Sequence, residues 1–263
     1  MLLAEQLHWP IVDTWTITRR NLLRYVRLPR LLVFSSIQPV MFLLLFNYVF
    51  GGALGASTAA AGGQYINYLL PGILIQIVMF GGVQTGIGLA EDMGKGIIDR
   101  FRSLPMSRLA VIAGRTLADV LRNVVVVGIL LIVGTLLGFH FQAGFGNALA
   151  MVGIAVLFGF TLSWVFACIG LAVRDTETAQ LAGFLFIFPL VFASSVFVPV
   201  QTMPTWLQPF VKNQPITQVV NAARHFALGT PANGAVWKAL LWCFVILAAC
   251  MPIALWLYKR RTA

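Results

Sequence analysis

Residues 31–90 read LLVFSSIQPVMFLLLFNYVFGGALGASTAAAGGQYINYLLPGILIQIVMFGGVQTGIGLA, sixty consecutive positions without a charged side chain. A helical crossing of a hydrocarbon core takes about 20 apolar residues, so this run holds two crossings. The uncharged stretch GGALGASTAAAGG, 51–63, marks a turn between them. Further charge-free runs cover 123–173 and 178–211. Lipid offers the backbone no hydrogen-bond partners, which restricts spanning segments to helices or closed barrels. Barrel strands alternate in polarity, whereas these runs are continuous, so helices are expected. The composition agrees: 59% of the residues are hydrophobic and 10% charged, against about 25% charged in soluble domains.

Six spans follow, at 31–50, 65–90, 123–141, 148–173, 179–198 and 239–257. The breaks between them alternate between basic and nearly uncharged, and Lys and Arg are retained on the cytoplasmic side. Fifteen Lys and Arg collect on one side, in the N-terminal segment, the loop after the second span, Arg174 and the C-terminus. Three lie on the other, Lys212, Arg224 and Lys238. This predicts a multi-pass protein of the plasma membrane with both termini cytoplasmic. The net charge of +10 then reflects topology and attraction to anionic lipid headgroups, with no nucleic-acid partner. No cleavable signal peptide is expected, because the first apolar run follows 30 polar or mixed residues. Cys168, Cys243 and Cys250 all fall inside predicted spans and read as small packing residues, with no disulfide framework or metal site expected.

Two charged regions flank the first pair of spans. In residues 11–30, Trp15, Leu22 and Val26 recur near helical spacing among Arg19, Arg20, Arg24 and Arg27. That pattern describes a basic amphipathic helix lying in the interface, broken by Pro29 before the first span. The second region, residues 91–122, reads EDMGKGIIDRFRSLPMSRLAVIAGRTLADVLR and holds ten of the chain's 26 charged residues. Gly94 and Gly96 interrupt the helix leaving the second span. Ile97, Ile98 and Phe101 then form a short apolar patch beside Asp99, Arg100 and Arg102, suited to a cleft on a soluble partner. Ser107 is placed to cap a new helix in which Arg115, Asp119 and Arg122 pair on one face. Spacing alone fits a solvated loop with interfacial ion pairs equally well.

Two stretches carry a family resemblance. GKGIIDRFRSLPMSRLAVIAGRTLAD, residues 94–119, resembles the first cytoplasmic loop of ABC-2 type permeases of the daunorubicin-resistance type, which export drugs and lipids. VPVQTMPTWLQPFVKNQPITQVVNAAR, residues 198–224, resembles the outer segment before their last span. The resemblance covers nearly the whole chain and implies one all-α membrane domain over 1–263. It comprises six spans, an amphipathic segment at 1–30, a coupling loop at 91–122 and short re-entrant outer helices within 199–236. It also implies a permease half that pairs with a second copy or a paralogue. Each half would rest on a separate ATP-binding-cassette subunit through Ile97 to Arg102 and export hydrophobic or amphipathic cargo. The chain has no GxxxxGK[ST] phosphate loop, Leu89 standing where the first glycine would be. ATP and Mg therefore belong to the partner, and no cofactor is expected on this chain.

By the same resemblance the second and fifth spans line the path, offering Gln76, Phe80 and Gln84 from one and Phe188 and Phe192 from the other. The GVQTG stretch, residues 82–86, permits close helix approach and is a candidate for subunit pairing. In the outer segment Pro204, Pro209 and Pro215 divide the chain into short pieces, and Thr217 is placed to cap a helix ending near Gly229. There Arg224 and His225 are candidate gate residues. No ionisable residue sits mid-span in the two path-lining helices, which argues for hydrophobic or amphipathic cargo. An intramembrane enzyme would need clustered His, Asp, Glu or Cys in the spans, and no HExxH or GxSxG occurs. The alternative is a secondary transporter or channel working without an ATPase, for which Pro71 and Pro189 would break the second and fifth spans.

Overall fold

The computed structural model describes residues 2–27, 29–55, 64–97, 108–173 and 175–261, and every regular element among them is helical. The elements are α1 (Leu2–Arg27), α2 (Pro29–Leu45), α3 (Gly51–Gly55), α4 (Tyr65–Gly94), α5 (Arg108–Leu136) and α6 (Gly144–Ala172). They continue with α7 (Thr176–Phe192), α8 (Gln208–Asn213), α9 (Pro215–Leu228) and α10 (Ala235–Arg261). Five helical stretches are long and apolar enough to cross a membrane: 35–54, 65–94, 110–136, 144–172 and 235–260.

The hydrophobic core centres on α4, which is buried along most of its length and packs against α2, α5, α6, α7 and α9. Small residues permit this. At the α4–α6 crossing Gly86 and Gly170 meet backbone to backbone, and a Cβ on Gly86 would stand 2.6 Å from the Phe166 carbonyl oxygen. The glycines of the GVQTG stretch thus serve helix packing inside one subunit, and the pairing role expected for them is not what their contacts show. Pro71 and Pro189 lie inside continuous helices, α4 and α7, so neither span is broken as the secondary-transporter reading would need.

Several predicted boundaries move. The stretch 51–55, expected as a turn, is helical and extends the first span through a π-helical segment at Phe46–Phe50. The third span ends at Leu136 and the chain turns back there, the Phe139 N–H bonding the Gly134 carbonyl. The fifth predicted span is a 17-residue helix, α7. At 1.5 Å per residue it is about 26 Å long, short of a hydrocarbon core of about 30 Å. It stops at Phe192 because Ala193 leaves the helix, and Ser194, Ser195 and Val196 form a buried turn instead of a last helical turn.

Exposed apolar stripes mark the faces left for lipid or a partner. Val33, Ile37, Met41 and Leu45 recur every four residues on α2, and Leu181, Leu185, Phe188 and Phe192 form a similar stripe on α7. On α1, Ile17 and Thr18 are buried against α5, and the Thr18 hydroxyl donates to the Gly114 carbonyl at 3.2 Å. Trp15 and Val26 point away from the protein, so α1 has one face for the bundle and another carrying exposed apolar groups.

Candidate functional site

At the end of the bundle where α4 reaches Gly94, α1, α4 and α5 are joined by buried charges. Arg115 donates to Asp92 at 3.1 Å and to the Gly88 carbonyl at 3.2 Å, and its Nε lies 3.9 Å from Asp119. A side chain at Gly88 would occupy the space of the Arg115 guanidinium. Asp119 also accepts from Thr85 on α4 at 2.7 Å and from the Tyr25 hydroxyl on α1 at 2.8 Å. Burial first and Asp119 second push the Tyr25 phenol up to about 12, so it remains a donor. Arg20 reaches Asp92 from α1 at 3.5 Å. Each carboxylate thus ties helices from different parts of the chain, which is how charge can be retained in an apolar bundle.

Of the predicted triad on α5, the Arg115–Asp119 pair forms, but Arg122 turns away from Asp119. Its Nη2 donates to the Gly81 carbonyl and to Asn123 Oδ1, each at 3.2 Å, and the guanidinium sits 5.7 Å from the centre of the Tyr25 ring. Arg122 is 7% exposed and has no carboxylate within 4.0 Å among the described residues. The sequence placed it just outside the third span, whereas α5 runs unbroken from Arg108 to Leu136 and carries it inward. Asp92, Thr85 and Tyr25 were not anticipated as partners, since they lie 23 or more positions from the α5 groups they bond.

Beside this cluster lies a cavity of about 410 Å³ among α1, α2, α4 and α5, also reached by Phe184 of α7. Gln76, Phe80 and Gln84, three of the residues assigned to the path, line it. Phe188 and Phe192 do not. They belong to a ladder of rings that leads away from it: Phe80–Phe188 at 6.0 Å, Phe188–Phe192 at 6.1 Å, Phe192–Phe197 at 5.4 Å and Phe197–Phe46 at 4.4 Å. Of the coupling residues, Ile97 follows the turn at Lys95–Gly96 and is half-buried. Ile98, Asp99, Arg100, Phe101 and Arg102 lie outside the described residues, as does Ser107.

The opposite end is organised by Arg224 on α9, which is 6% exposed. Its Nε donates to the Tyr68 carbonyl at 3.0 Å and its Nη2 to the carbonyls of Ser195 and Val196 at 2.7 and 3.1 Å. Nη1 reaches Ser195 Oγ at 3.3 Å, and the guanidinium stacks 3.5 Å from the centre of the Tyr68 ring. Burial pulls its pKa below the ordinary arginine value. These bonds hold the turn that ends α7, which Tyr65 and Tyr68 also hold through the carbonyls of Phe197 and Ser195. Thr217 accepts from the Ser195 N–H at 3.2 Å and so belongs to this knot. It is not the cap of α9, which begins with Pro215 at its first turn. His225 bonds the Thr230 carbonyl at 2.5 Å where α9 ends at Gly229. A second cavity of about 870 Å³ opens beside Tyr68, Ser195 and Arg224.

The amino-acid sequence has relatives among known proteins. The chain is 34% identical over 244 residues to the daunorubicin resistance ABC transporter permease protein DrrB1 of Streptomyces coeruleorubidus, covering 93% of this chain and 85% of that one. It is 26% identical over 254 residues to the probable doxorubicin resistance ABC transporter permease protein DrrC of Mycobacterium tuberculosis, covering 96% and 90%. The doxorubicin resistance ABC transporter permease protein DrrB of the same organism is 34% identical over 228 residues, covering 82% and 76%. Residues 12–228 match the ABC-2 type transporter family, and the chain belongs to that family.

Proposed function

We propose that this chain is the membrane-spanning permease subunit of an ATP-binding-cassette exporter of hydrophobic or amphipathic molecules. The observation that carries the reading is the near full-length similarity to permeases named for drug resistance. ATP and Mg belong to a separate subunit, which docks on the short segment Ile97 to Arg102, and both termini face the cytoplasm with it. A second copy or a paralogue completes the pathway. The apolar stripes on α2 and α7 are the natural surfaces for that pairing, with lipid covering the remainder. Because α5 leaves the docking loop as one rigid helix, a push at its start moves Arg115, Asp92 and α4 together. Arg224 and His225 would hold the outer gate.

Co-purification tests this. The chain is expressed with a candidate ATP-binding-cassette subunit, and the complex is isolated through a tag on the permease. Wild type retains the ATPase, while Ile98→Glu, Phe101→Ala and Arg102→Glu lose it or uncouple ATP hydrolysis from transport. Unchanged assembly and transport in all three variants would remove the docking role. Transport that persists with no nucleotide hydrolysis would favour a secondary transporter.

A further inference from the structure

We propose that the cavity among α1, α2, α4 and α5 receives an amphiphile with an anionic phosphate or carboxylate head. Arg122 holds the head, and the tail lies along Phe42, Phe80 and Phe184. The inference rests on the permease reading and names the class of cargo, or of regulatory lipid, that this site takes.

Among the described residues, four cations and three carboxylates gather here: Arg20, Lys95, Arg115 and Arg122 with Glu91, Asp92 and Asp119. Arg20 and Arg115 share Asp92, Arg115 also approaches Asp119, and Lys95 pairs with Glu91 at 2.5 Å. Among the described residues, Arg122 is the cation of this cluster with no carboxylate within 4.0 Å. Its Nη2 is used by Gly81 and Asn123, and among the described residues its buried Nε has no partner and its Nη1 donates to no group. A buried cation with unused donors in an apolar bundle is costly, and a bound oxyanion offsets that cost by supplying both charge and acceptors.

Shape and polarity fit the same class. At about 410 Å³ the cavity is within the usual range of small-molecule sites. Phe42, Phe80, Phe184 and Val126 supply apolar lining, and Gln76 and Asn21 add polar lining. A bare phosphate ion would leave the aromatic lining unused, and a cationic amine would meet Arg122 with like charge. Glu91, which also lines the cavity, is the group a zwitterionic head could exploit, but it is already paired with Lys95.

The test uses the full chain in phosphatidylcholine nanodiscs with no ATPase present, so failure counts against this site and leaves the permease reading intact. Binding of a fluorescent lysophosphatidic acid is displaced by dodecyl phosphate, dodecylamine or inorganic phosphate. Dodecyl phosphate should compete well and the other two weakly. Arg122→Gln should weaken the fluorescent probe's binding about tenfold or more, the usual loss for a charge-assisted hydrogen bond, and Arg122→Lys should restore much of it. Phe80→Ala should weaken dodecyl phosphate and uncharged dodecanol alike. If Arg122→Gln does not yield a monodisperse protein, the head-group preference of wild type decides. Dodecylamine competing as well as dodecyl phosphate overturns the proposal. So does inorganic phosphate doing so, which would mark a free-ion site, or an Arg122→Gln protein that binds within about twofold of wild type.

Discussion

Replacing Arg224 by lysine should harm this protein more than replacing it by methionine, although lysine keeps the charge. Arg224 makes four hydrogen bonds of 2.7 to 3.3 Å, three of them to backbone carbonyls, and covers the Tyr68 ring. Two of those carbonyls have other donors or helical partners available. Tyr68 lies within α4, and the Ser195 carbonyl accepts from the Tyr68 hydroxyl at 3.1 Å. The Val196 carbonyl depends most on the arginine. Methionine removes charge and donors together, leaving that carbonyl unsatisfied at about 1–3 kcal/mol and losing about 2 kcal/mol of cation–π attraction, but it regains the desolvation cost of the guanidinium. The net loss is about 1–2 kcal/mol. Lysine remains charged and buried, and a single ammonium cannot span carbonyls on α4 and on the turn after α7 as the planar fork does. It forfeits about 3–5 kcal/mol, the usual cost of a buried charge stripped of partners. Thermal unfolding of the purified protein in detergent, followed by tryptophan fluorescence, ranks the variants as wild type, Arg224→Met, Arg224→Lys. A lysine variant as stable as wild type, or more stable than methionine, would refute the idea that geometry rather than charge is what this site uses.

Three further outcomes are expected. Gly86→Leu places a side chain against the Phe166 carbonyl, and the α4–α6 crossing should lose about 3 kcal/mol or more, read as a lower unfolding temperature and poorer yield. Asp92→Asn leaves Arg115 with Asp119 at 3.9 Å as its remaining carboxylate among the described residues and takes the charge out of the Arg20–Asp92 link at 3.5 Å, so α1 should become more susceptible to proteolysis while the five long spans stay folded. Tyr25, raised from 10.0 to about 12, keeps its proton in the folded chain where the unfolded chain loses it. The native state then binds more protons between those values, and stability falls as pH rises through them. Tyr25→Phe lacks this loss, so the advantage of wild type over the variant should shrink from pH 10 to pH 12; a constant difference across that range would show that the phenol is not raised.

The family and the helical membrane architecture were legible because burial in lipid writes itself along the chain. Sixty uncharged residues at 31–90 admit few other structures, and helix propensity and hydrophobic length are local properties. Gly94, Gly96 and Gly229 were readable for the same reason: a helix ends where its own backbone needs a turn. The 194–196 turn was not readable, because SSVFV is apolar enough to continue a helix. Its carbonyls and the Ser195 N–H are bound instead by residues far along the chain, Arg224 28 and 29 positions away together with Tyr68 and Thr217. Arg122 likewise has no local signal of its burial. Its i,i+3 spacing from Asp119 predicted a pair, yet Asp119 is claimed by Thr85 and Tyr25, and Arg122 is left to Gly81 and the cavity. The sequence by itself determined that the chain is built of long apolar helices and which family it belongs to. Tertiary structure decided which charge is left without a counter-charge, because that depends on helices that meet in space across distances the chain's own periodicity does not encode.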